Sequence, residues 1–186
     1  MLFRSHPTTP TTLYVSVWGD GVLRSTDSGA TWTPVNGGAS LSNINTVAMH
    51  PTTPDTLFAG LNSFSATGLF VTTDAASSWT QLTTASGLPT GESWSVIAFA
   101  PGTPGTMLIG GQFSGAVYKS ADSGASWTQV GSFSGGFGIR DIVINPTDAT
   151  EAWVVSYADA VHHTTDGGAT WTALGSVAGC DGYSGL

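Results

Sequence analysis

Short apolar runs separated by Ser, Thr, Gly and Pro follow one another along the whole chain. Leu13-Tyr14-Val15-Ser16-Val17, Leu57-Phe58-Ala59-Gly60, Met107-Leu108-Ile109-Gly110 and Ala152-Trp153-Val154-Val155-Ser156 are strand-like. Each is followed closely by a second run: Gly21-Val22-Leu23-Arg24, Gly68-Leu69-Phe70-Val71, Ala116-Val117-Tyr118-Lys119 and Ala160-Val161-His162-His163. A third kind ends in proline, as in Val47-Ala48-Met49-His50-Pro51, Ile97-Ala98-Phe99-Ala100-Pro101 and Ile142-Val143-Ile144-Asn145-Pro146, with a stub at Phe3-Arg4-Ser5-His6-Pro7. No segment of useful length carries the 3.6-residue period of a helix, so the pattern predicts an all-β chain.

Between these runs one octapeptide recurs. Ser25-Thr26-Asp27-Ser28-Gly29-Ala30-Thr31-Trp32 returns as Ser120-Ala121-Asp122-Ser123-Gly124-Ala125-Ser126-Trp127 and as Thr164-Thr165-Asp166-Gly167-Gly168-Ala169-Thr170-Trp171. Thr72-Thr73-Asp74-Ala75-Ala76-Ser77-Ser78-Trp79 is a worn copy. The tryptophans lie 47, 48 and 44 residues apart, in the range of propeller repeats. Each octapeptide is followed by a Trp-Thr strand, so every unit holds four short strands and the four units predict four propeller blades. The motif belongs at the hairpin between third and fourth strands. The Asp carboxylate accepts turn amides, Gly29, Gly124 and Gly168 take a positive φ at little steric cost, and the Trp buries a large surface between neighbouring blades with its indole N–H on a carbonyl. Ala76 replaces the glycine in the second copy, at a cost of about 1 kcal/mol, so that turn is expected to be the least regular.

Composition narrows the function. The 186 residues carry four Lys+Arg against twelve Asp+Glu, a net charge of −8; a duplex-reading surface needs clustered cations, so no nucleic-acid partner is expected. No apolar run is long enough to span a membrane, and no signal peptide is visible after Met1-Leu2-Phe3-Arg4. Charged residues make up only 9% of the chain, while seven are Trp, the reverse of a disordered composition. The 22 Ser and 27 Thr fit strands and suggest secretion. Cys180 is the only cysteine and forms no intrachain disulfide.

The pattern Ser-x-Asp-x-Gly-x-Thr-Trp resembles the Asp-box (BNR) repeat of sialidases, xyloglucan-active endoglucanases, sortilin-type receptors and photosystem II assembly propellers. The resemblance covers nearly the whole chain, with three of four boxes intact. It implies a β-propeller of four-stranded antiparallel blades at residues 1–36, 44–83, 94–131 and 139–175, with a tail at 176–186. The Pro-Thr-x-Pro-x-Thr-Leu lead-ins, Pro7 to Leu13 and Pro51 to Leu57, look most like the secreted bacterial xyloglucanase branch. Most such propellers have more blades, so the chain is expected to be part of a larger propeller or to be completed by a partner, including a second copy of itself. A sialidase is disfavoured: that family needs an arginine triad, and this chain has three arginines, of which Arg24 lies on a strand leading into a box.

Asp27, Asp74, Asp122 and Asp166 are expected to stabilise turns rather than bind calcium, since Asp-x-x-Gly lacks the oxygen spacing of an EF-hand. His162-His163 looks like a metal site, but strand neighbours point to opposite faces. His6 and His50 precede strand-ending prolines and are expected to be structural, so neither a metal nor a cofactor is expected. The opposite blade end collects Trp18, Asp20, Asn62, Phe64, Gln112, Phe113, Tyr157 and Asp159 from the second-to-third turns, and Glu92, Trp94, Phe137, Arg140 and Asp141 from the fourth-to-first loops. Aromatic rings beside carboxylates and amides suit sugar recognition, so a polysaccharide is the expected partner. Trp94 and the phenylalanines serve either that face or inter-blade packing. Asp20 and Asp159 occupy the same repeat position and form the candidate catalytic pair of a glycoside hydrolase. The alternative is a non-catalytic protein-interaction scaffold or a unit of an extracellular fibre.

Overall fold

The computed structural model describes residues 3–62, 67–133, 138–157 and 160–176, with backbone alone at 3, 160 and 176. Sixteen strands fall among these residues, grouped in four antiparallel sheets whose strands lie side by side in chain order. Sheet 1 holds β1 (Phe3–Ser5), β2 (Leu13–Val17), β3 (Gly21–Ser25) and β4 (Thr33–Pro34); sheet 2 holds β5 (Ile44–Met49), β6 (Leu57–Leu61), β7 (Leu69–Thr72) and β8 (Thr80–Leu82). Sheet 3 holds β9 (Trp94–Phe99), β10 (Met107–Gly111), β11 (Ala116–Ser120) and β12 (Thr128–Ser132); sheet 4 holds β13 (Ile139–Ile144), β14 (Ala152–Ser156), β15 (Ala160–Thr164) and β16 (Thr172–Ser176). Among the described residues there is no α-helix, only a 3-10 turn at Thr84–Ser86, and no helix long and apolar enough to cross a membrane.

The strand registers make the units superimposable residue by residue. β2 meets β3 from Leu13↔Ser25 to Val17↔Gly21, and β6 meets β7 from Leu57↔Thr72 to Gly60↔Leu69. β10 meets β11 from Met107↔Ser120, and β14 meets β15 from Ala152↔Thr164. Tyr14, Phe58, Leu108 and Trp153 are therefore equivalent, as are Ser16, Gly60, Gly110 and Val155. β6 and β10 are buried at every position, as expected where both faces are covered. The fourth strands are polar and exposed, with Thr33-Pro34 and Thr80-Gln81 facing solvent. Pro34, which has no N–H, sits on an edge where none is needed.

Contacts divide the chain into two compact units, Met1–Ala85 with Pro89–Trp94, and Ser86–Leu88 with Ser95–Leu186. In the first, sheets 1 and 2 enclose Tyr14, Val22, Ile44, Val47, Leu57, Phe70 and Trp79. In the second, sheets 3 and 4 enclose Leu108, Val117, Ile139, Ile142, Ile144 and Val154. Each such side chain contributes about 1.5–3 kcal/mol through burial. Gly110 shows how closely sheet 4 approaches sheet 3: a Cβ there would lie 2.6 Å from Ile139, so only glycine fits. The single Ser95 hydroxyl proton is shared between the carbonyls of Ile139 and Gly110.

Candidate functional site

The two ends of the sheets differ in construction. At one end, each octapeptide closes the hairpin between third and fourth strands. In the first copy Ser25 Oγ donates to Asp27 Oδ1 (2.7 Å) and accepts from the Gly29 amide (2.8 Å). Asp27 Oδ1 then accepts from the Thr31 amide (2.8 Å), and Oδ2 from the Thr31 hydroxyl (2.5 Å). The same four bonds recur around Asp74, Asp122 and Asp166. Hydroxyl donors, then backbone amides, hold the carboxyls of Asp27, Asp74 and Asp166 down to about 2, and that of Asp122 is lowered for the same reason. These aspartates are spent on their turns.

Two consecutive residues in each turn are left-handed, not the glycine alone: Ser28 and Gly29 (φ 61° and 91°), Ala75 and Ala76 (55° and 69°), Ser123 and Gly124 (58° and 87°), Gly167 and Gly168 (72° and 94°). The first amide of each pair donates to the loop between first and second strands, at the carbonyls of Thr11, Asp55, Gly105 and Thr150, over 2.7–3.0 Å. That anchor holds a conformation the sequence alone disfavours. The expected irregularity of the second turn is absent. Ala76 adopts the left-handed conformation, its amide reaches Thr72 Oγ1 at 3.1 Å, and its buried methyl joins the core of the first unit, which offsets the strain.

The four indoles are not equivalent, contrary to the expectation of one shared role. Trp79 Nε1 donates to Val35 O (2.8 Å) and Trp171 Nε1 to Val130 O (2.7 Å), each on the preceding sheet. Trp32 and Trp127 instead donate to their own turns, at Gly29 O and Gly124 O, both at 3.0 Å. In the reverse direction, Arg24 Nη1 reaches Ala75 O (3.2 Å) and Lys119 Nζ reaches Gly167 O (3.0 Å). Sheets 1 and 2, and likewise sheets 3 and 4, thus exchange a cation and an indole. Two of the chain's four cations are committed to this latch.

The other end varies from sheet to sheet. In the first unit, Trp18 is 67% exposed at the β2–β3 turn, beside exposed Asp20. That turn is clamped: Asn36 Nδ2 donates to Asp20 O (2.7 Å) and Asn36 Oδ1 accepts the Val22 amide (2.9 Å). Consecutive carbonyls of the link bring two candidate positions together, since Ser42 O accepts the Gly19 amide (2.6 Å) and Asn43 O the Asn62 amide (2.7 Å). Asn36, Ser42 and Asn43 escaped sequence reasoning; the only signal was the Asn-rich link. Glu92 is half-buried, and its Oε1 accepts the Ser93 amide (3.2 Å). Trp94 leaves the candidate face: at 1% exposure it is a packing residue, because its strand position turns the indole inward, where so large an apolar surface is most stabilising.

In the second unit, a bulge in β13 between Ile139 and Asp141 leaves Arg140 without a strand partner. A bulge of this kind re-aims a side chain, and the Arg140 guanidinium lies 4.6 Å over the Tyr157 ring. Tyr157 N donates to Gly138 O (2.8 Å), so the two loops meet. Asp141 Oδ1 caps the Ile142 amide (2.9 Å). A Cβ at Gly138 would run into the Gln112 carbonyl, which puts half-buried Gln112 beside the same loop, with Phe113 exposed next to it. Phe64, Phe137, Asp159 and Cys180 lie outside the described residues, so the Asp20–Asp159 pair has no geometry here.

His6 Nδ1 and His50 Nδ1 accept the amides of Thr9 (3.1 Å) and Thr53 (3.2 Å), closing proline turns as Asn145 does for Thr147 (2.9 Å). His163 Nε2 meets Glu151 Oε1 at 2.9 Å and stacks on Trp153, while His162 stacks on Phe133. Among the described residues, no three His, Cys, Asp or Glu side chains converge as a metal-ligand set.

No protein-family profile matches the chain. It is similar to the xyloglucanase of Hypocrea jecorina (strain QM6a), with 34% identity over 125 residues, 63% of this chain but 13% of that protein. Among solved structures, the GH74 enzyme of Niastella koreensis superimposes with a TM-score of 0.79 at 19% identity, covering 92% of this chain and 28% of that one. The GH74 xyloglucanase of Xanthomonas campestris gives 0.76 at 20% identity, covering 95% and 30%. The fold is therefore that of an all-β propeller of the kind these enzymes carry, and the chain spans under a third of their length.

Proposed function

We propose that the chain is a carbohydrate-binding or carbohydrate-processing propeller module of the glycoside-hydrolase type, working outside the cell on a polysaccharide of the xyloglucan class. The observation that carries this reading is the 34% identity with a xyloglucanase over 125 residues. An exposed Trp18 on a clamped turn supports it. In this reading Trp18 stacks on the apolar face of a sugar ring, and Asn62 and Glu92 hydrogen-bond its hydroxyls, while Gln112 serves a separate contact in the second unit. Arg140, Asp141 and Tyr157 serve a second contact, with Phe137 beside them in sequence. The octapeptides are Asp-box turns that hold the blades and take no part in chemistry.

Asp20 and Asp159 are the proposed carboxylates. Hydrolysis needs one protonated to deliver a proton to the leaving oxygen, and one ionised to attack the anomeric carbon or to activate water. A chain that covers 13% of its relative is expected to bind on its own and to hydrolyse only with the rest of a cleft. The test is an array of xyloglucan and β-glucan oligosaccharides, read for binding and for reducing ends. Binding that Trp18→Ala abolishes supports the reading, and hydrolysis lost in Asp20→Asn and Asp159→Asn extends it to catalysis. Absence of both binding and hydrolysis overturns it in favour of a protein-interaction scaffold.

A further inference from the structure

We infer that Asn36-Gly37 is a modification site: the pair deamidates without an enzyme, at a rate gated by the hydrogen bonds of the Asn36 side chain, and the product loosens the turn that carries Trp18. The inference concerns that turn alone and does not rest on what Trp18 binds. Of the chain's five asparagines, only Asn36 is followed by glycine. Asn43, Asn45 and Asn62 precede Ile44, Thr46 and Ser63, whose side chains crowd the neighbouring amide. Pro146, after Asn145, has no N–H to react.

Both halves of this labile pair are required where they stand. Asn36 spans the β2–β3 turn, with Nδ2 donating to Asp20 O (2.7 Å) and Oδ1 accepting the Val22 amide (2.9 Å). Gly21 admits it, since a Cβ there would run into Asn36 Oδ1. Gly37 and Gly38 both have positive φ, 53° and 79°, and Ala39 N donates to Asn36 O (2.8 Å), the pattern of a type I′ turn. A Cβ at Gly37 would lie 2.6 Å from Ser77 O of the next octapeptide, so no larger residue fits. The equivalent carbonyls of sheets 2 and 3 are held by sturdier groups. Thr67 O accepts from Gln81 Nε2 (3.2 Å), and Gly115 O from the Phe133 amide (2.9 Å). Glutamine closes only the slower six-membered ring, and a backbone amide has no ammonia to lose.

The step needs base and water alone. Gly37 is exposed, and among the described residues nothing accepts its N–H. With its proton removed, Gly37 N attacks Asn36 Cγ; the N–Cγ bond forms, the Cγ–Nδ2 bond breaks, and Nδ2 leaves as ammonia. Water then opens the succinimide at Cγ to give Asp, or at the main-chain carbonyl to give an isoaspartyl link. Ring closure requires the side chain to leave Asp20 O and Val22 N, so the reaction waits on local opening. In the Asp product an oxygen replaces the donor, and two acceptors face each other at the Asp20 carbonyl, which costs more than a missing bond. The isoaspartyl product adds a methylene to the backbone and pulls the carboxylate from both partners. Gly19 N still donates to Ser42 O (2.6 Å), so the turn loosens without unfolding.

The test ages the chain in warm, mildly alkaline buffer, with and without urea, and follows chymotryptic peptides by mass spectrometry. A gain of about one dalton is expected at residues 36–37 before any other asparagine, at least tenfold more slowly in the folded chain than in urea. Aged chains, separated by anion exchange on their added charge, should exchange the Val22 amide at least tenfold faster. The Gly124 amide, bonded to Ser120 Oγ in the second unit, should keep its protection. Asn36→Asp supplies one product without ageing and should fall between the two at Val22. Another asparagine reacting first, equal rates in folded and unfolded chains, unchanged protection of Val22 in the aged chain, or protection lost at both amides overturns the inference.

Discussion

The two ends of each sheet follow different rules. At the octapeptide end, four turns repeat the same hydrogen bonds to within a few tenths of an ångström, although one copy has lost its glycine. At the opposite end, the equivalent turns hold Trp18 and Asp20 in one sheet, Asn62 in the next, and Gln112 or Tyr157 in the others. The regular end is a self-contained device: both oxygens of each Asp carboxylate, and the hydroxyls that open and close each octapeptide, are bonded within the turn. The irregular end is held chiefly by the backbone carbonyls of Ser42, Asn43 and Gly138 and by the Asn36 side chain, which clamps backbone groups, so most of its other side chains are free to differ. Structure is concentrated where the repeat is strict, and recognition is proposed where it is not.

Substitutions at the two ends should therefore separate stability from binding. The largest expected loss is Trp79→Ala, which empties a core site and leaves Val35 O without its indole donor; about 3–5 kcal/mol is expected in denaturant unfolding. Trp32→Ala should cost clearly less in the same assay, because Trp32 is only half-buried and bonds within its own turn. Next comes Gly168→Ala, where a left-handed φ of 94° combines with a Cβ 2.9 Å from Val130; about 2 kcal/mol or more is expected. Gly29→Ala meets only ordinary contacts at 3.6 Å and should cost about 1 kcal/mol. Similar losses at both glycines would show that Val130 gives way and that its close approach to Gly168 contributes little.

A smaller effect is expected from acid. The carboxyls of Asp27, Asp74 and Asp166 are depressed to about 2 in the folded chain, against an unfolded value near 3.9. Their contribution is fully present above about pH 4 and is lost as the pH falls through about 2. Thermal melts between pH 5 and 2 should show a stability decline confined to the acid limb, and Asp166→Asn should flatten it. The smallest stability effect belongs to Trp18→Ala, within about ±0.5 kcal/mol, while glycan binding is lost. A fall in melting temperature there would break the contrast between the ends.

The octapeptide spacing and the prolines made the strands legible, because hairpin chemistry is local: Asp27 needs only Thr31 four residues on. The same locality made the bland reading of His6 and His50 legible. The destination of each indole was not, since Trp79 and Trp32 look alike in sequence, yet one reaches Val35 O and the other Gly29 O in its own turn. Trp94 was open between the candidate face and packing in the sequence, and its burial was decided by neighbours such as Gly60, where a Cβ would lie 2.8 Å from the Trp94 Cβ. Arg140 was legible as a candidate, but its position over Tyr157 came from a bulge that no residue pattern announces.

From its residues alone, this protein is a four-unit all-β repeat of the propeller kind, with turns that consume their own aspartates. That much follows from contacts spanning a few positions, which a repeated motif encodes four times over. Tertiary structure decided the exchange of cation and indole between paired sheets and the burial of Trp94. The exchange depends on which backbone lies across a gap of several ångströms, a fact carried by residues more than forty positions away in the chain.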